Sequence, residues 1–459
     1  MVIEQILHQD LGCASYLIID QGEAAVVDPK WQIGEYLEKA AAAGAEIRHV
    51  LETHNHADHV SGRRRLAAVT GAELHLPSEA PGGVRDGYLV QVGGVELLAV
   101  ATPGHRPEHV SYIVGDGGVA RALIAGDSLL VGDVARPDLA VEANAGAAAL
   151  WGTLHRLLEL DDDVELYPAH VGGSLCLSSA SASSETCSTL GHERATNQRL
   201  AAPDVETFTS ELIAQLPVRP PSVAKLVAIN VEGASEPPTL PLLTPAELDL
   251  LLADGVCVLD IREPAEFDAG HLAGSLNLCA RISAFGTRGD WVSGGDEQIV
   301  IAGDSVEAVR NAAELLRSAG VWKLAGLTVV DVDGWRAAGL PISQGQAVGA
   351  EWVLARLKAH TVTLIDVRDP YEWEAGHLAG AVSLPMPQLA DGLDPGVEIQ
   401  PPVAVVCAAG LRAALAASVL RRRGYSPVWR VSDGIARLLE GEPSASQASE
   451  QNRPAAGSL

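Results

Sequence analysis

The chain is short of cationic residues, of sulfur and of aromatic bulk. Against 59 Asp and Glu stand 32 Lys and Arg, a formal charge of −27. An anionic excess of this size opposes phosphate backbones and anionic lipid, so neither nucleic acid nor a membrane is expected as a partner. Six cysteines occur (Cys13, Cys176, Cys187, Cys257, Cys279 and Cys407), scattered without a paired framework. That excludes a disulfide-stapled scaffold and suits a reducing compartment, so a cytoplasmic location is expected. No apolar run reaches the roughly 18 residues of a membrane span. Met1-Val2-Ile3-Glu4 carries no basic segment ahead of an apolar one, so secretion is not indicated.

What is present is a soluble composition, 47% hydrophobic and 20% charged over 459 residues, which predicts an α/β multidomain protein of three domains, with a homo-oligomer expected. Residues 1–235 alternate β-rich runs (Tyr16 to Val27, His49 to Leu51) with helical stretches (Ile33 to Ala43). A Ser-rich stretch from Ser174 to Thr189 reads as an exposed loop, and Pro217 to Pro241 as a linker. Beyond it the sequence repeats. Asp260-Ile261-Arg262-Glu263-Pro264 returns as Asp366-Val367-Arg368-Asp369-Pro370, and Gly270-His271-Leu272-Ala273-Gly274 as Gly376-His377-Leu378-Ala379-Gly380, an offset of 106 residues. Each copy runs strand, turn, helix, strand, loop, helix, which predicts a small parallel α/β domain over 241–345 and another over 350–443. The Ser/Ala/Gln-rich tail 444–459 is expected to be disordered.

Thr53-His54-Asn55-His56-Ala57-Asp58-His59 follows an apolar strand. Imidazoles and a carboxylate at this spacing present nitrogen and oxygen ligands to one ion or to two neighbouring ions, and burying them without metal is costly. Gly104-His105, Gly126-Asp127 and Pro168-Ala169-His170 each end an apolar run. Each alone is more often a turn than a ligand; their order and spacing together make the signal. Residues 1–235 therefore resemble the metallo-β-lactamase superfamily, which implies an αββα sandwich with these loops on one edge.

Asp127-Ser128-Leu129-Leu130 running on to Arg136-Pro137-Asp138 resembles the persulfide dioxygenase branch of that superfamily. The resemblance implies one ferrous ion, Fe(II), held by His54, His105 and Asp127, with His56, Asp58, His59 and His170 orienting ligands and Arg136 near the substrate. It also implies a low-molecular-weight thiol persulfide and O2 as substrates and sulfite as product. The same residues also suit two Zn2+ ions, with His54, His56 and His105 on one, Asp58, His59 and His170 on the other and Asp127 bridging, as in glyoxalase II-like thioesterases. His170 is followed by Val171-Gly172-Gly173-Ser174-Leu175-Cys176 rather than by a nearby Tyr, which resembles the subgroup fused to rhodanese domains. Cys176 is then a candidate sulfur relay, with an ordinary thiol as the alternative.

Cys407-Ala408-Ala409-Gly410-Leu411-Arg412 lies between an apolar strand and a helix beginning near Ala413. Consecutive backbone N–H groups and the positive helix end favour an anionic sulfur there, and Arg412 adds charge for an anionic donor. With the Asp366 and His377 motifs, this copy resembles the rhodanese superfamily. The resemblance implies that Cys407 attacks a sulfane donor such as thiosulfate and passes the sulfur to a thiol or to sulfite, with His377 structural. Both Cys407 and Gly303 stand 17 residues before a helix-terminal glycine, Gly424 and Gly320. The first copy therefore lacks the nucleophile and reads as an inactive rhodanese, and Cys257 and Cys279 read as core.

Overall fold

In the first half of the chain, strands form where apolar residues alternate with polar or exposed ones. Along Val95–Ala101, for instance, Val95, Leu97 and Ala99 are buried while Glu96 and Leu98 face water. The computed structural model describes residues 1–8, 11–78, 83–171, 185–216, 222–293, 297–391 and 399–440. It divides into two compact units, Met1–Pro238 with Arg317–Gly320, and Thr239–Leu316 with Val321–Leu459.

The first unit is built on two sheets. One has the order Val2–His8, Cys13–Asp20, Glu23–Val27, Glu46–Leu51, Glu73–His75; the other Ser188–Thr189, Glu165–Pro168, Val119–Gly126, Val110–Asp116, Val95–Ala101, Leu89–Val92. Their facing sides bury Tyr16, Ile18, Val27 and Leu51 with Val90, Leu97, Tyr112 and Ile124. Helices cover the outer sides. Tyr36 and Ala40 of Gly34–Ala42 and Leu66 of Arg63–Thr70 pack on Leu17, Val26 and Val50, while Leu150 and Leu154 of Ala143–Leu157 and Phe208 and Leu212 of Val205–Ala214 pack on Leu123 and Leu166. This is the αββα sandwich expected from the sequence. Each ligand-bearing loop leaves the end of a core strand, so the rigid sandwich sets the loops' relative positions.

The expected linker over 217–241 needs correction. Residues 217–221 lie outside the described residues, and a helix follows at Val223–Glu232. Its Val223 packs with Ala57 and Leu139. Its Asn230 donates to the carbonyls of His56 and His59, each at 2.8 Å, and accepts from Ser61 N–H at 2.9 Å. The segment does contain the boundary between the two units, at Pro238, but the helix between its prolines braces the His56–His59 loop. Of the Ser-rich stretch, Ser188–Thr189 pairs with Glu165 and Leu166. Cys176 and the tail 444–459 lie outside the described residues.

The second unit holds both repeats, each with its own parallel sheet. The orders are Leu276–Asn277, Cys257–Asp260, Ile299–Gly303, Leu324–Val329 and Ala347–Val348, Val428–Val431, Val403–Val406, Thr363–Asp366, Val382–Ser383. The repeat extends to atomic detail. Arg262 donates to Asp260 Oδ2 (2.6 Å) and to the Gly270 carbonyl (2.9 Å), and Arg368 does the same with Asp366 (2.8 Å) and Gly376 (2.7 Å). His271 stacks on Phe267 with ring centroids 3.7 Å apart, and His377 on Trp373 at 3.9 Å. Both histidines also reach the carbonyl four residues back. In each copy a proline occupies the first turn of the short helix and a glutamate three residues into it bonds the N-cap backbone. The copies share one apolar cluster containing Leu276, Leu278 and Phe285 from the first and Leu415, Ala416 and Val419 from the second. Among the described residues, no helix is long and apolar enough to cross a membrane.

The buried Asp366–Arg368 pair gives a direct test of this description. Asp366→Ala strands a guanidinium that is 7% exposed, and should lower stability by about 3–5 kcal/mol in urea unfolding followed by tryptophan fluorescence. A loss below about 1 kcal/mol would mean that the pair is not the anchor of this copy.

Candidate metal centre and sulfur site

The strand Glu46–Leu51 runs directly into the polar loop, and Asp28, at the end of Glu23–Val27, organises the exit. Asp28 has a left-handed backbone, φ 53°, and accepts from Thr53 N–H (2.7 Å) and Thr53 Oγ1–H (2.8 Å). Thr53 Oγ1 lies 2.9 Å from His54 Nδ1. With its hydroxyl proton committed to Asp28, Thr53 accepts from His54 Nδ1–H, leaving the lone pair on His54 Nε2. His105 is set in the same way, its Nδ1 donating to the Arg136 carbonyl at 2.9 Å. Such outer bonds fix tautomer and ring orientation in metal-ligating histidines.

Asp127 is divided between two tasks. Its Oδ1 lies 2.5 Å from His170 Nδ1, and its backbone N–H donates to His109 Nε2 at 2.8 Å. Its Oδ2 faces His105 Nε2 at 3.3 Å and His54 Nε2 at 3.7 Å. All three facing atoms are buried and have no hydrogen-bond partner. Each such orphan costs about 1–3 kcal/mol if nothing binds it. Ligand bonds of about 2.0–2.2 Å place neighbouring donors roughly 3 Å apart, so the three fit one cation with its remaining positions open. Burial, reinforced by His56, His109 and His105, pushes the His54 pKa far below its usual value. Burial also lowers that of His105. For Asp127 burial works upward, but His170, through charge and hydrogen bond, and the neighbouring His105 overcome it and hold the carboxyl at about 2. Two neutral imidazoles and one carboxylate are therefore presented together.

The remaining expected ligands gather around a second set of groups, with His56, Asp58 and His59 offering ligand atoms within 4.8 Å of one another. His56 Nε2 sits between Asp28 Oδ1 (3.3 Å) and Glu52 Oε2 (3.2 Å). Burial opposes charge on that ring, yet the two carboxylates raise its pKa well above the usual value. Asp58 holds His59 Nδ1 at 3.1 Å and His170 Nε2 at 2.9 Å. Cys13 Sγ, at the start of the strand Cys13–Asp20, lies 2.9 Å from Asp58 Oδ2 and 3.3 Å from His170 Nε2. Arg136 enters through its carbonyl, as noted; its guanidinium clasps Asp138 at 2.7 and 2.8 Å.

Asp28, Thr53, His109 and Cys13 were not singled out from the sequence. An acid at a strand end was a faint signal for Asp28; Thr53 and His109 each depend on adjacent strands of one sheet, and Cys13 on an approach between the two sheets.

In the second unit Cys407 follows the strand Val403–Val406 and is buried. Gly410, at φ +87°, donates its N–H to Cys407 Sγ at 3.1 Å, and Ala413 N–H, in the first turn of the helix Leu411–Arg422, does so at 3.4 Å. Only a glycine takes that backbone turn without strain. Arg412 is held by Asp369 (3.0 Å) and Glu372 (2.8 Å) rather than presented bare to the loop. Pairing of Asp260 with Ala302, and of Asp366 with Val406, makes Gly303 the counterpart of Cys407. A Cβ at Gly303 would lie 2.7 Å from Ile261 Cγ1, so a side chain at that position would have to displace Ile261.

Comparison with known proteins agrees with the folds of both units. The metallo-beta-lactamase superfamily profile matches residues 8–170, and the rhodanese-like domain profile matches 244–338 and 349–440. The hydroxyacylglutathione hydrolase of Francisella tularensis subsp. tularensis (strain WY96-3418) is 31% identical over 175 residues, which are 36% of this chain and 65% of the relative. The chain thus spans just under two thirds of the relatives it matches. The metallo-beta-lactamase of Staphylococcus aureus subsp. aureus COL superposes with a TM-score of 0.62 and 28% identity, covering 72% of this chain and 98% of that one. ETHE1 from Myxococcus xanthus has 29% identity and a TM-score of 0.44, covering 50% of this chain and 98% of its own.

Gly126 is the tightest point of the centre: its φ is +57°, and a Cβ there would lie 2.5 Å from His109 Nε2 and 2.8 Å from Thr53 Cβ. Gly126→Ala should cost about 1–3 kcal/mol and displace Asp127. Urea midpoints and the metal content of the purified variant, both expected to fall, measure this.

Proposed function

The chain joins a metallo-beta-lactamase superfamily domain to two rhodanese-like domains, and on that premise we propose that it is a persulfide dioxygenase coupled to a sulfurtransferase. The observation that carries the first half is the convergence of His54 Nε2, His105 Nε2 and Asp127 Oδ2, all buried and without hydrogen-bond partners. Two imidazoles and one carboxylate with open positions form the donor set of non-haem iron oxygenases. Bound there, one Fe(II) supplies the redox chemistry that dioxygen requires.

The protein's own groups hold and orient. Thr53 and the Arg136 carbonyl keep both imidazoles in the tautomer that offers Nε2. His170 and His109 keep Asp127 from rotating. In the overall reaction a low-molecular-weight thiol persulfide, O2 and water give the free thiol and sulfite. The outer sulfur takes both atoms of dioxygen and one oxygen from water.

Cys407 accounts for the second half. Its thiolate attacks the sulfane sulfur of thiosulfate, the S–S bond breaks, and sulfite leaves with the electron pair. An acceptor thiolate then takes the outer sulfur from the Cys407 persulfide and restores the thiolate. Gly410 and Ala413 N–H groups already point at Sγ and suit an anionic sulfur. We assign the first copy no sulfur-carrying role, because Gly303 stands where the thiol would be. A reducing compartment such as the cytoplasm keeps Cys407 ready between turnovers.

A second reading, a di-zinc thioester hydrolase, draws on the match to hydroxyacylglutathione hydrolase. His56, Asp58 and His59, whose ligand atoms lie within 4.8 Å of one another, would take its second ion, although Asp58 now bonds His59 and His170 and His56 lies between Asp28 and Glu52.

Oxygen-electrode assays with glutathione persulfide should show uptake in proportion to iron content. His105→Ala should lose it by at least a hundredfold while thiosulfate sulfurtransferase activity persists. Cys407→Ser should do the reverse. Protein that carries only zinc and consumes no oxygen with a persulfide would overturn the dioxygenase reading; undiminished sulfur transfer by Cys407→Ser would overturn the other half.

A further inference from the structure

A second group of potential ligands lies upstream of the His54 loop, on the two strands at the edge of the first sheet. The parallel register sets His49 opposite Glu73 and Leu51 opposite His75. Residues two apart on a strand share a face, so His49, Glu73 and His75 project from the same side of the sheet as Leu51. Their ligand atoms all lie within 4.8 Å of one another. His49 Nδ1 is 3.0 Å from His75 Nε2, and Glu73 Oε2 is 4.0 Å from the same nitrogen.

We propose that His49, Glu73 and His75 bind a divalent cation of the zinc and copper(II) type, at a site separate from that of His54, His105 and Asp127. Nitrogen donors about 3 Å apart suit two imidazoles sharing one ion at bonds of about 2.0–2.1 Å. The second nitrogen of His75 is anchored, with Nδ1 3.2 Å from the Tyr88 hydroxyl, and an outer partner of this kind orients a ligating imidazole. His75 is buried, whereas the Glu73 side chain is 68% exposed, so the carboxylate has room to swing onto an ion that the two rings hold. Two imidazoles and a carboxylate, with water completing the shell, are a common donor set for such ions.

The strand Glu73–His75 is three residues long and pairs with one neighbour. An ion bridging it to Glu46–Leu51 would staple the sheet edge. A plain hydrogen bond between the imidazoles also accounts for 3.0 Å, and it predicts no ion.

The test uses the full chain as purified, beside His49→Gln, His75→Gln and Glu73→Gln. Each is equilibrated with micromolar Zn2+, and ions per chain are counted by mass spectrometry. Wild type should hold one more ion than either histidine variant, with iron unchanged in all. Added Zn2+ should raise the thermal midpoint of wild type but not of those two variants, and Glu73→Gln should bind more weakly than wild type. Electron paramagnetic resonance of a Cu2+-loaded sample should show coupling to two nitrogens that His49→Gln loses. Should His75→Gln loosen the edge, His49→Gln carries the test, because its ring is only partly buried. Equal ion counts in wild type and His49→Gln would overturn the proposal.

Discussion

The first domain's centre depends on how one carboxylate is shared. Asp127 is wholly buried, yet its Oδ1 is taken by His170 and its backbone N–H by His109. Only Oδ2 remains to face the two imidazoles. Were the carboxylate free to rotate, each oxygen would compete for the same partners and the three donors would not hold one geometry. The left-handed turn at Gly126 makes this arrangement possible, because it brings the backbone against His109 and Thr53 closely enough to exclude any side chain. A backbone constraint thus becomes an electronic one.

The second unit keeps one frame in two copies, of which one has a cysteine and the other a glycine at the end of the same strand. The Asp–Arg–carbonyl clasp and the stacked histidine recur in both copies at nearly the same distances. They belong to the frame of the domain rather than to its chemistry. The copies part at the end of the central strand, where one has Cys407 and the other a glycine pressed against Ile261. Retaining the frame without the thiol is consistent with a packing role, and the shared apolar cluster is where the two copies meet.

Much of this was legible in the sequence, for reasons that particular residues make clear. Ligand-type side chains crowded at 54–59 among apolar strands are costly without a common purpose, so the loop stood out. The 106-residue echo disclosed two domains and the missing thiol. Spacing could not reveal which histidine serves which partner. His54 and His56 are two residues apart, and Asp28 and Glu52 draw the second away from the first. Cys13 enters from another strand, and no local pattern marks it. Arg412 looked like a free cation because its partners, Asp369 and Glu372, lie 43 and 40 residues upstream in the chain, where they also cap a helix. The helix Val223–Glu232 was hidden by prolines that delimit it.

The charge arrangement around the centre bears on how an anionic sulfur compound would reach it. The chain as a whole carries −27, a field that repels anions until salt screens it beyond about 8 Å. Within the site the outer acids are largely met: the raised pKa of His56 sets a cation between Asp28 and Glu52, Arg63 stands 3.9 Å from Glu52, and Asp58 bonds His59 and His170. His54 and His105 are neutral, so the donor set itself contributes the single charge of Asp127. A divalent cation on these three groups leaves about one net positive charge at their open face. At short range in a medium of low dielectric, one such charge outweighs many distant surface carboxylates. On the proposed reading one acid on the ion preserves this balance, since a second carboxylate there would cancel the attraction for an anionic substrate.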